Sequence, residues 1–206
     1  NPETDAALNE SYKVARVAPC DVILGTDPDA DRVAIAVPDG NGSFVKLSGN
    51  ELGFMLLDYV LKARTEKNDI PEGAITVRSI VSSPLADRIA AHYGVTMKAV
   101  LTGFKYIGGE ILKLEECNEE HKFIFGFEES CGYLKGTYAR DKDAIVASML
   151  VCELAASMKN QGKTILDALA DVYAKYGYYL AHVQSVELTG ADAMEKAAKM
   201  MADLRA

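Results

Sequence analysis

The hydrophobic pattern divides the chain into two parts. The first part has short apolar runs typical of strands, and in the second such runs alternate with longer runs of helical period. In the first part, the apolar stretches VILGT (22–26) and RVAIAV (32–37) predict two strands. PDGNG (38–42) is a strong turn signal, and SFVKLS (43–48) predicts a third strand. The chain is therefore expected to begin with a small β-rich unit.

From Gly49 onward, helical and strand patterns alternate. NELGFMLLDYVLKAR (50–64) predicts a helix, and three strand-then-helix units follow it. Their strands are predicted at 74–81, 95–101 and 122–127, and their helices at Ser83-Pro84 to about Gly94, at 106–116 and at 144–160. The last of these helices is apolar on nearly all sides, which predicts that it is buried. Strands separated by helices indicate an α/β fold with a mixed, mainly parallel sheet and helices on both faces.

Three further elements complete the prediction. TILDALADVYAKYG (164–177) begins with a Thr164 cap followed three residues later by Asp167, and its apolar stripe has helical period. YYLAHVQSVEL (178–188) predicts one more strand, and residues 191–206 predict a final helix.

Composition and charge narrow the classes of partner. Among the 206 residues, 30 are Asp or Glu and 22 are Lys or Arg, giving a formal net charge of -8. Such a surface repels nucleic acid and anionic membranes, so we expect neither as a partner. No apolar run approaches the roughly 20 residues needed to cross a bilayer. The four cysteines have no CxxC spacing, which favours reduced thiols and a cytoplasmic protein.

The stretch GTDPDADR (25–32) places Asp27, Asp29 and Asp31 at alternate positions between two predicted strands. With Pro28 keeping the segment extended, the three carboxylates would point to one side and converge on a hard cation such as Mg²⁺. An exposed acidic loop that binds nothing is the plain alternative, and a phosphatase with an aspartate nucleophile is a distant one. An EF-hand is excluded, because neither the Gly at its sixth position nor the Glu at its twelfth is present.

Polar residues directly follow the predicted strands of the larger sheet. They are Thr102, Lys105, Glu128 and Ser130. The carboxyl ends of parallel strands share one edge of a sheet, and ligands of α/β proteins bind beyond that edge. The topology therefore predicts that these four side chains gather at one site.

Several basic residues could offset the acidic net charge locally. Arg32 follows the aspartates and either neutralises them or binds phosphate through its planar guanidinium. Lys105, Arg140 and Lys142 lie in predicted loops after strands. Together these cations predict a local anion site.

Four segments in order resemble segments of the α-D-phosphohexomutases, the phosphoglucomutase and phosphomannomutase superfamily. GTDPDADR is similar to the metal-binding loop of that family, and GFEESCGY (126–133) is similar to its sugar-binding loop. TGFKYIG (102–108) and YARDKDA (138–144) resemble two further family segments. Tyr133 stands where many members have His, which places the chain nearer the α-phosphoglucomutase or phosphopentomutase subgroup.

The resemblance implies a role for each matching residue. The implied Mg²⁺ ligands are Asp27, Asp29 and Asp31, and the implied substrate-binding residues are Thr102, Gly103, Glu128 and Ser130. Arg32 is similar to the arginine that contacts the phosphorylated serine beside the metal. Lys105 lies in a segment that assists proton transfer in the family, so it is the candidate general base.

The family activity implied is interconversion of hexose 1-phosphate and hexose 6-phosphate through a phosphoserine and a bisphosphorylated sugar, with glucose or mannose phosphates as substrates. By the resemblance, residues 1–47 are the end of the family's second domain, 48–190 its third domain, and 191–206 a connection toward a fourth.

The family's serine segment and its RxSGT phosphate loop are not found among these residues. We therefore expect a piece of a longer enzyme, inactive alone and completed by the other domains of its polypeptide. The alternatives are a non-catalytic module that binds metal or sugar phosphate, and the phosphatase.

Overall fold

The computed structural model describes residues 1–181 and 188–205 of the protein. Its helices are α1 Asp5–Val17, α2 Gly49–Glu66, α3 Leu85–His92, α4 Phe104–Glu115, α5 Ala144–Asn160, α6 Ile165–Tyr176 and α7 Ala193–Asp203. Its strands are β1 Ile23–Thr26, β2 Val33–Pro38, β3 Phe44–Lys46, β4 Ile75–Ser79, β5 Thr96–Val100, β6 Phe123–Glu128 and β7 Gly132–Lys135.

The N-terminal strands form a three-stranded antiparallel sheet in the order β1-β2-β3, as the sequence predicts. Helix α1, which the hydrophobic pattern does not predict, packs on this sheet through Leu8 and Ala15. Only these two residues of the helix are buried. Gly25 permits the close approach, because a Cβ there would lie 2.6 Å from Leu8 Cδ2.

The larger sheet has the order β5-β4-β6-β7, with β4 parallel to both of its neighbours. The three predicted parallel strands are confirmed. Strand β7 pairs antiparallel with β6 in a segment that the sequence analysis leaves as a loop. It escapes detection because it has only four residues and lies directly behind a tight connection in which Cys131 has φ +65°.

Helices cover both faces of the larger sheet. Helices α2, α3, α5 and α6 share one apolar core with β6 and the N-terminal sheet, and α4 packs on the opposite face against Ile75, Val77 and Phe123. Helix α2 begins with a capping box, in which Ser48 Oγ accepts from the Glu51 N–H and Glu51 Oε2 accepts from the Ser48 N–H. This cap holds the start of α2 beside the carboxyl edge of the sheet.

The predicted helix at 144–160 is confirmed, but its complete burial is wrong. Ile145 and Met149 are 58% and 60% exposed, since α5 turns one face away from the sheet. The capping box of α6 between Thr164 and Asp167 is confirmed.

The ends of other elements also bear on the predictions. Ser83 Oγ accepts from the Leu85 N–H at 3.3 Å at the start of α3, and Pro84 between them has φ -70° and ψ -3°, which agrees with the predicted Ser83 cap. Most of the predicted strand 178–188 lies outside the described residues. Among the residues that the structure describes, no helix has both the length and the apolar character needed to cross a membrane.

Candidate functional site

The aspartate loop, residues 27–32, is a tight turn and not the extended segment that the sequence analysis expects. The Asp27 N–H donates to the Arg32 carbonyl at 3.3 Å, and the Ala30 N–H donates to the Asp27 carbonyl at 3.1 Å. Ala30 lies in the left-handed region with φ +55°. Despite this difference, one ligand atom from each of Asp27, Asp29 and Asp31 lies within 4.8 Å of the others.

The carboxylate oxygens of this loop differ in the hydrogen bonds and ion pairs that they form. Asp27 is buried, and its Oδ1 accepts from the backbone N–H groups of Asp31 and Arg32 at 3.2 and 3.1 Å, while Oδ2 accepts from Arg32 Nε at 2.9 Å. Asp31 Oδ2 lies 2.8 Å from Lys142 Nζ. Asp31 Oδ1 is buried and has no hydrogen-bond partner, and Asp29 is exposed.

These surroundings set the pKa values of the two inner carboxyls apart. Burial alone would raise the pKa of Asp27, but hydrogen bonds from Arg32 and Asp31 lower it to about 2. Burial raises the pKa of Asp31, and the salt bridge to Lys142 offsets only part of that effect. Arg32 Nε lies 3.7 Å from Asp31 Oδ1, beyond hydrogen-bond distance. Three converging carboxylates, with one buried oxygen that accepts no hydrogen bond, fit a hard divalent cation, which prefers oxygen ligands.

The sugar-loop segment, residues 128–133, joins β6 to β7. Glu128, at the end of β6, is 4% exposed and accepts from the Gly103 N–H at 2.6 Å. Gly103 precedes α4 with φ +119°, a conformation that favours glycine. The structure thus brings the segments of Gly103 and Glu128 together, as the strand order predicts.

The other predicted residues at the carboxyl edge of the larger sheet are more exposed to solvent. Ser130 is half-buried in the sugar-loop segment, and Thr102 and Lys105 are exposed on either side of Gly103. Lys105 Nζ lies 5.0 Å from the ring centroid of Tyr106.

The aspartate loop and the sugar-loop segment are in direct contact. The Val33 N–H donates to the Cys131 carbonyl at 3.1 Å, and Arg32 pairs with Gly132 in an isolated antiparallel bridge. The first N–H of α5, from Ala144, donates to the Ala30 carbonyl at 3.0 Å. The aspartate loop and the sugar-loop segment therefore meet at one junction between the two sheets, and Gly103 contacts the sugar-loop segment through Glu128.

The basic residues divide between this junction and the surface. Lys142 bonds to the aspartate loop, whereas Arg140 forms an ion pair with Glu115 of α4. The fold therefore supplies the aspartate loop with two cations, Arg32 and Lys142.

Sequence reasoning misses a polar network beneath the sugar-loop segment. Glu129 Oε2 accepts from the hydroxyls of Ser79 and Ser82 at 2.8 and 3.0 Å, and the Glu129 N–H donates to Ser82 Oγ at 3.1 Å. Arg78 donates to the carbonyls of Ser79 and Ser82 at 3.0 and 3.2 Å. The polar run after β4 is the only sequence signal of this network, because its partners are about 50 positions apart in the chain.

We expect Glu128→Gln to raise the free energy of unfolding at pH 7 by about 1 kcal/mol. Burial raises the pKa of Glu128, the hydrogen bond from Gly103 offsets part of this, and the charge of Glu129 adds to it. A carboxyl with a raised folded-state pKa destabilises the fold as pH rises above its unfolded value of about 4.3. The gain should therefore vanish below about pH 4, as measured by urea unfolding across pH.

Glu129→Gln is the matched control. The Glu129 carboxylate accepts hydrogen bonds from two serine hydroxyls, so we expect this variant to lose stability and not to gain it. Equal gains in both variants would contradict the assignment of the penalty to Glu128.

Comparison with known proteins gives consistent matches. Residues 48–176 match the family model described as phosphoglucomutase/phosphomannomutase, alpha/beta/alpha domain III. A phosphoglucomutase of Staphylococcus epidermidis strain RP62A is 38% identical over 205 residues, covering 100% of this chain and 36% of the relative. The chain therefore spans about a third of the length of the curated relatives it matches.

Solved structures have a similar fold. A protein of Thermus thermophilus described as a phosphomannomutase superposes with a TM-score of 0.67 at 26% identity, over 86% of this chain and 36% of that one. The N-acetylphosphoglucosamine mutase of Aspergillus fumigatus, solved with GlcNAc-6P and magnesium, has a TM-score of 0.52 at 14% identity, over 77% of this chain and 36% of that one. The second likeness concerns the fold alone.

Proposed function

The chain belongs to the phosphoglucomutase/phosphomannomutase family, and from this premise we propose that it supplies the metal-binding and sugar-binding loops of a hexose-phosphate mutase. The observation that carries the proposal is the junction at which the aspartate loop contacts the sugar-loop segment. One wall of this junction holds carboxylates and the other holds hydrogen-bonding groups suited to sugar hydroxyls. A mutase needs both within the reach of one sugar phosphate.

On this proposal, Asp27, Asp29 and Asp31 hold Mg²⁺. When bound, the ion supplies positive charge that neutralises the phosphoryl oxygens in transfer between serine and sugar. The buried Asp31 Oδ1, which accepts no hydrogen bond, and the exposed Asp29 carboxylate have lone pairs available for this role.

The remaining residues bind and orient the substrate. Arg32 binds the phosphoryl group through guanidinium N–H groups not used by Asp27. Glu128 and Ser130 bind the hydroxyls of a glucose or mannose phosphate, with Thr102 and Gly103 alongside. Hydroxyl contacts can be re-made when the sugar turns end for end, which a 1-to-6 phosphoryl exchange requires. Lys105, exposed at the start of α4, is the candidate general base.

The proposal also assigns parts of the chain to domains of a longer polypeptide. Residues 1–47 would be the end of the second domain, 48–190 the third domain, and 191–206 the connection to a fourth. The phosphorylated serine would come from elsewhere in the same polypeptide, so the 206-residue chain alone would have no mutase activity.

We expect Asp29→Asn to weaken Mg²⁺ binding to this chain at least tenfold, as measured by calorimetric titration at low ionic strength. Asp29 is exposed, and among the described contacts it has no hydrogen bond or ion pair, so the isosteric amide replaces an anionic ligand by a neutral one without disturbing the fold. Asp21→Asn is the matched control, because Asp21 is exposed and pairs with Lys159 away from the loop. Equal Mg²⁺ affinity in all three proteins would refute the metal assignment.

A phosphate-release assay on the same chain separates the phosphatase alternative. The phosphatase would use Asp27 as its nucleophile, whereas the proposed mutase uses this carboxylate as a metal ligand. We expect no phosphate release from glucose 6-phosphate. Release that disappears in Asp27→Asn would favour the phosphatase.

A further inference from the structure

Lys142 is tied to the aspartate loop by the fold and not by sequence proximity. Its Nζ lies 2.8 Å from Asp31 Oδ2, and only 18% of its side chain is exposed. Its stem passes over Gly132, where an added Cβ would overlap Cδ and lie 2.9 Å from Cγ. Its Nζ also lies 5.7 Å from the ring centroid of Phe104. These contacts hold the ammonium at the aspartates.

The two cations of the loop lie closest to different aspartates. Arg32 Nε lies 2.9 Å from Asp27 Oδ2 and 3.7 Å from Asp31 Oδ1, and Arg32 Nη1 lies 3.6 Å from Glu3. Lys142 Nζ contacts Asp31 Oδ2 and, at 3.2 Å, Asp141, and the other oxygen of Asp31 is the buried atom that accepts no hydrogen bond. A divalent cation that binds this oxygen would lie close to the ammonium, and like charges at such separations in a partly buried site repel strongly.

We propose that Lys142 is an internal counter-ion that competes with the divalent cation for the aspartate loop and sets the affinity of that loop for metal. This inference rests on the proposed metal-binding role of the loop. Without metal, Lys142 balances part of the negative charge and stabilises the turn. With metal, its charge opposes binding, so the loop releases its ion more readily than the carboxylates alone would allow.

The test is calorimetric titration of Mg²⁺ into the whole chain and three variants at low ionic strength. Lys142→Met keeps the apolar stem but removes the charge, so we expect Mg²⁺ to bind at least tenfold more tightly. Lys142→Arg keeps the charge and should bind like the unsubstituted chain. Lys163→Met makes the same change in net charge at an exposed pair with Asp171 and should alter affinity less than twofold.

A thermal melt of the same proteins gives a second readout. Lys142→Met should melt several degrees lower than the unsubstituted chain without metal and show the larger rise when Mg²⁺ is added. The melt also reports whether each variant is folded before its titration is interpreted.

The outcomes separate this inference from the proposed function. Equal or weaker Mg²⁺ binding by folded Lys142→Met, with binding by the unsubstituted chain, would overturn the counter-ion role and leave the metal site standing. Binding by neither protein would overturn both. Binding by Lys142→Met alone would support both, with Lys142 blocking the site.

Discussion

Gly49→Ala is expected to lower the free energy of unfolding by about 3 kcal/mol, the upper end of the usual cost of overpacking. Gly49 is the first residue of α2, and a Cβ there would overlap the carbonyl oxygen of Glu129, 2.7 Å from its carbon and 2.8 Å from Cys131 N. These are backbone atoms of the sugar-loop segment, which cannot swing aside as a side-chain tip can. The Gly49 carbonyl also accepts from the buried Tyr133 hydroxyl at 3.2 Å.

Urea unfolding measures this effect, and Gly109→Ala is the matched control. Gly109 is inside α4, and a Cβ there meets no atom within 4 Å. Alanine is favoured over glycine in a helix by about 0.5–1 kcal/mol, so the control should gain stability. A Gly49→Ala variant within about 0.5 kcal/mol of the unsubstituted chain would contradict the close seating of the sugar-loop segment on α2.

Arg78→Met is expected to lower the free energy of unfolding by about 3 kcal/mol. This value is the lower end of the usual cost of breaking a buried charge pair. Arg78 is 8% exposed and forms a bidentate salt bridge with Asp87 at 2.7 and 2.8 Å. Its third nitrogen donates to the carbonyls of Ser79 and Ser82, which the variant would leave without this donor. Asp87 is about half exposed, so its unpaired charge is partly solvated and the lower end applies.

The comparison variant is Arg140→Met, which breaks the exposed ion pair with Glu115. Exposed pairs contribute about 0–1 kcal/mol, so its unfolding midpoint in urea should move little. Similar losses in the two variants would mean that the network beneath the sugar-loop segment contributes no more than a surface pair.

Both predictions concern residues that hold the sugar-loop segment in place. Gly49 brings the start of α2 against the backbone of the sugar-loop segment, and Arg78 holds the turn whose serines bind Glu129. Glu128 itself carries a burial penalty at this place. These neighbours therefore hold a buried acid in place at the sugar-loop segment, and carboxyls with pKa values perturbed by burial are common at functional sites.

Much of the fold follows from local patterns. The apolar runs at 22–26, 32–37, 74–81, 95–101 and 122–127 each overlap a strand of the structure to within one residue of its end. The box between Thr164 and Asp167 marks the start of α6 because a cap depends only on residues one turn apart. Two elements are missed. Helix α1 buries only Leu8 and Ala15, and β7 has four residues, too few for a clear alternation of apolar and polar positions.

The sequence by itself determined the α/β class, the parallel strands and the candidate site residues, because hydrophobic period and motif spacing are local properties of the chain. It predicted that the aspartates converge, but for the wrong reason. A turn through Ala30, and not an extended segment, brings them together. Only the tertiary structure decided that Lys142 contacts Asp31, that Arg140 turns to Glu115, and that Ser79 and Ser82 hold Glu129. Those pairings join residues distant in the chain, so they depend on the packing of sheets and helices that no local pattern encodes.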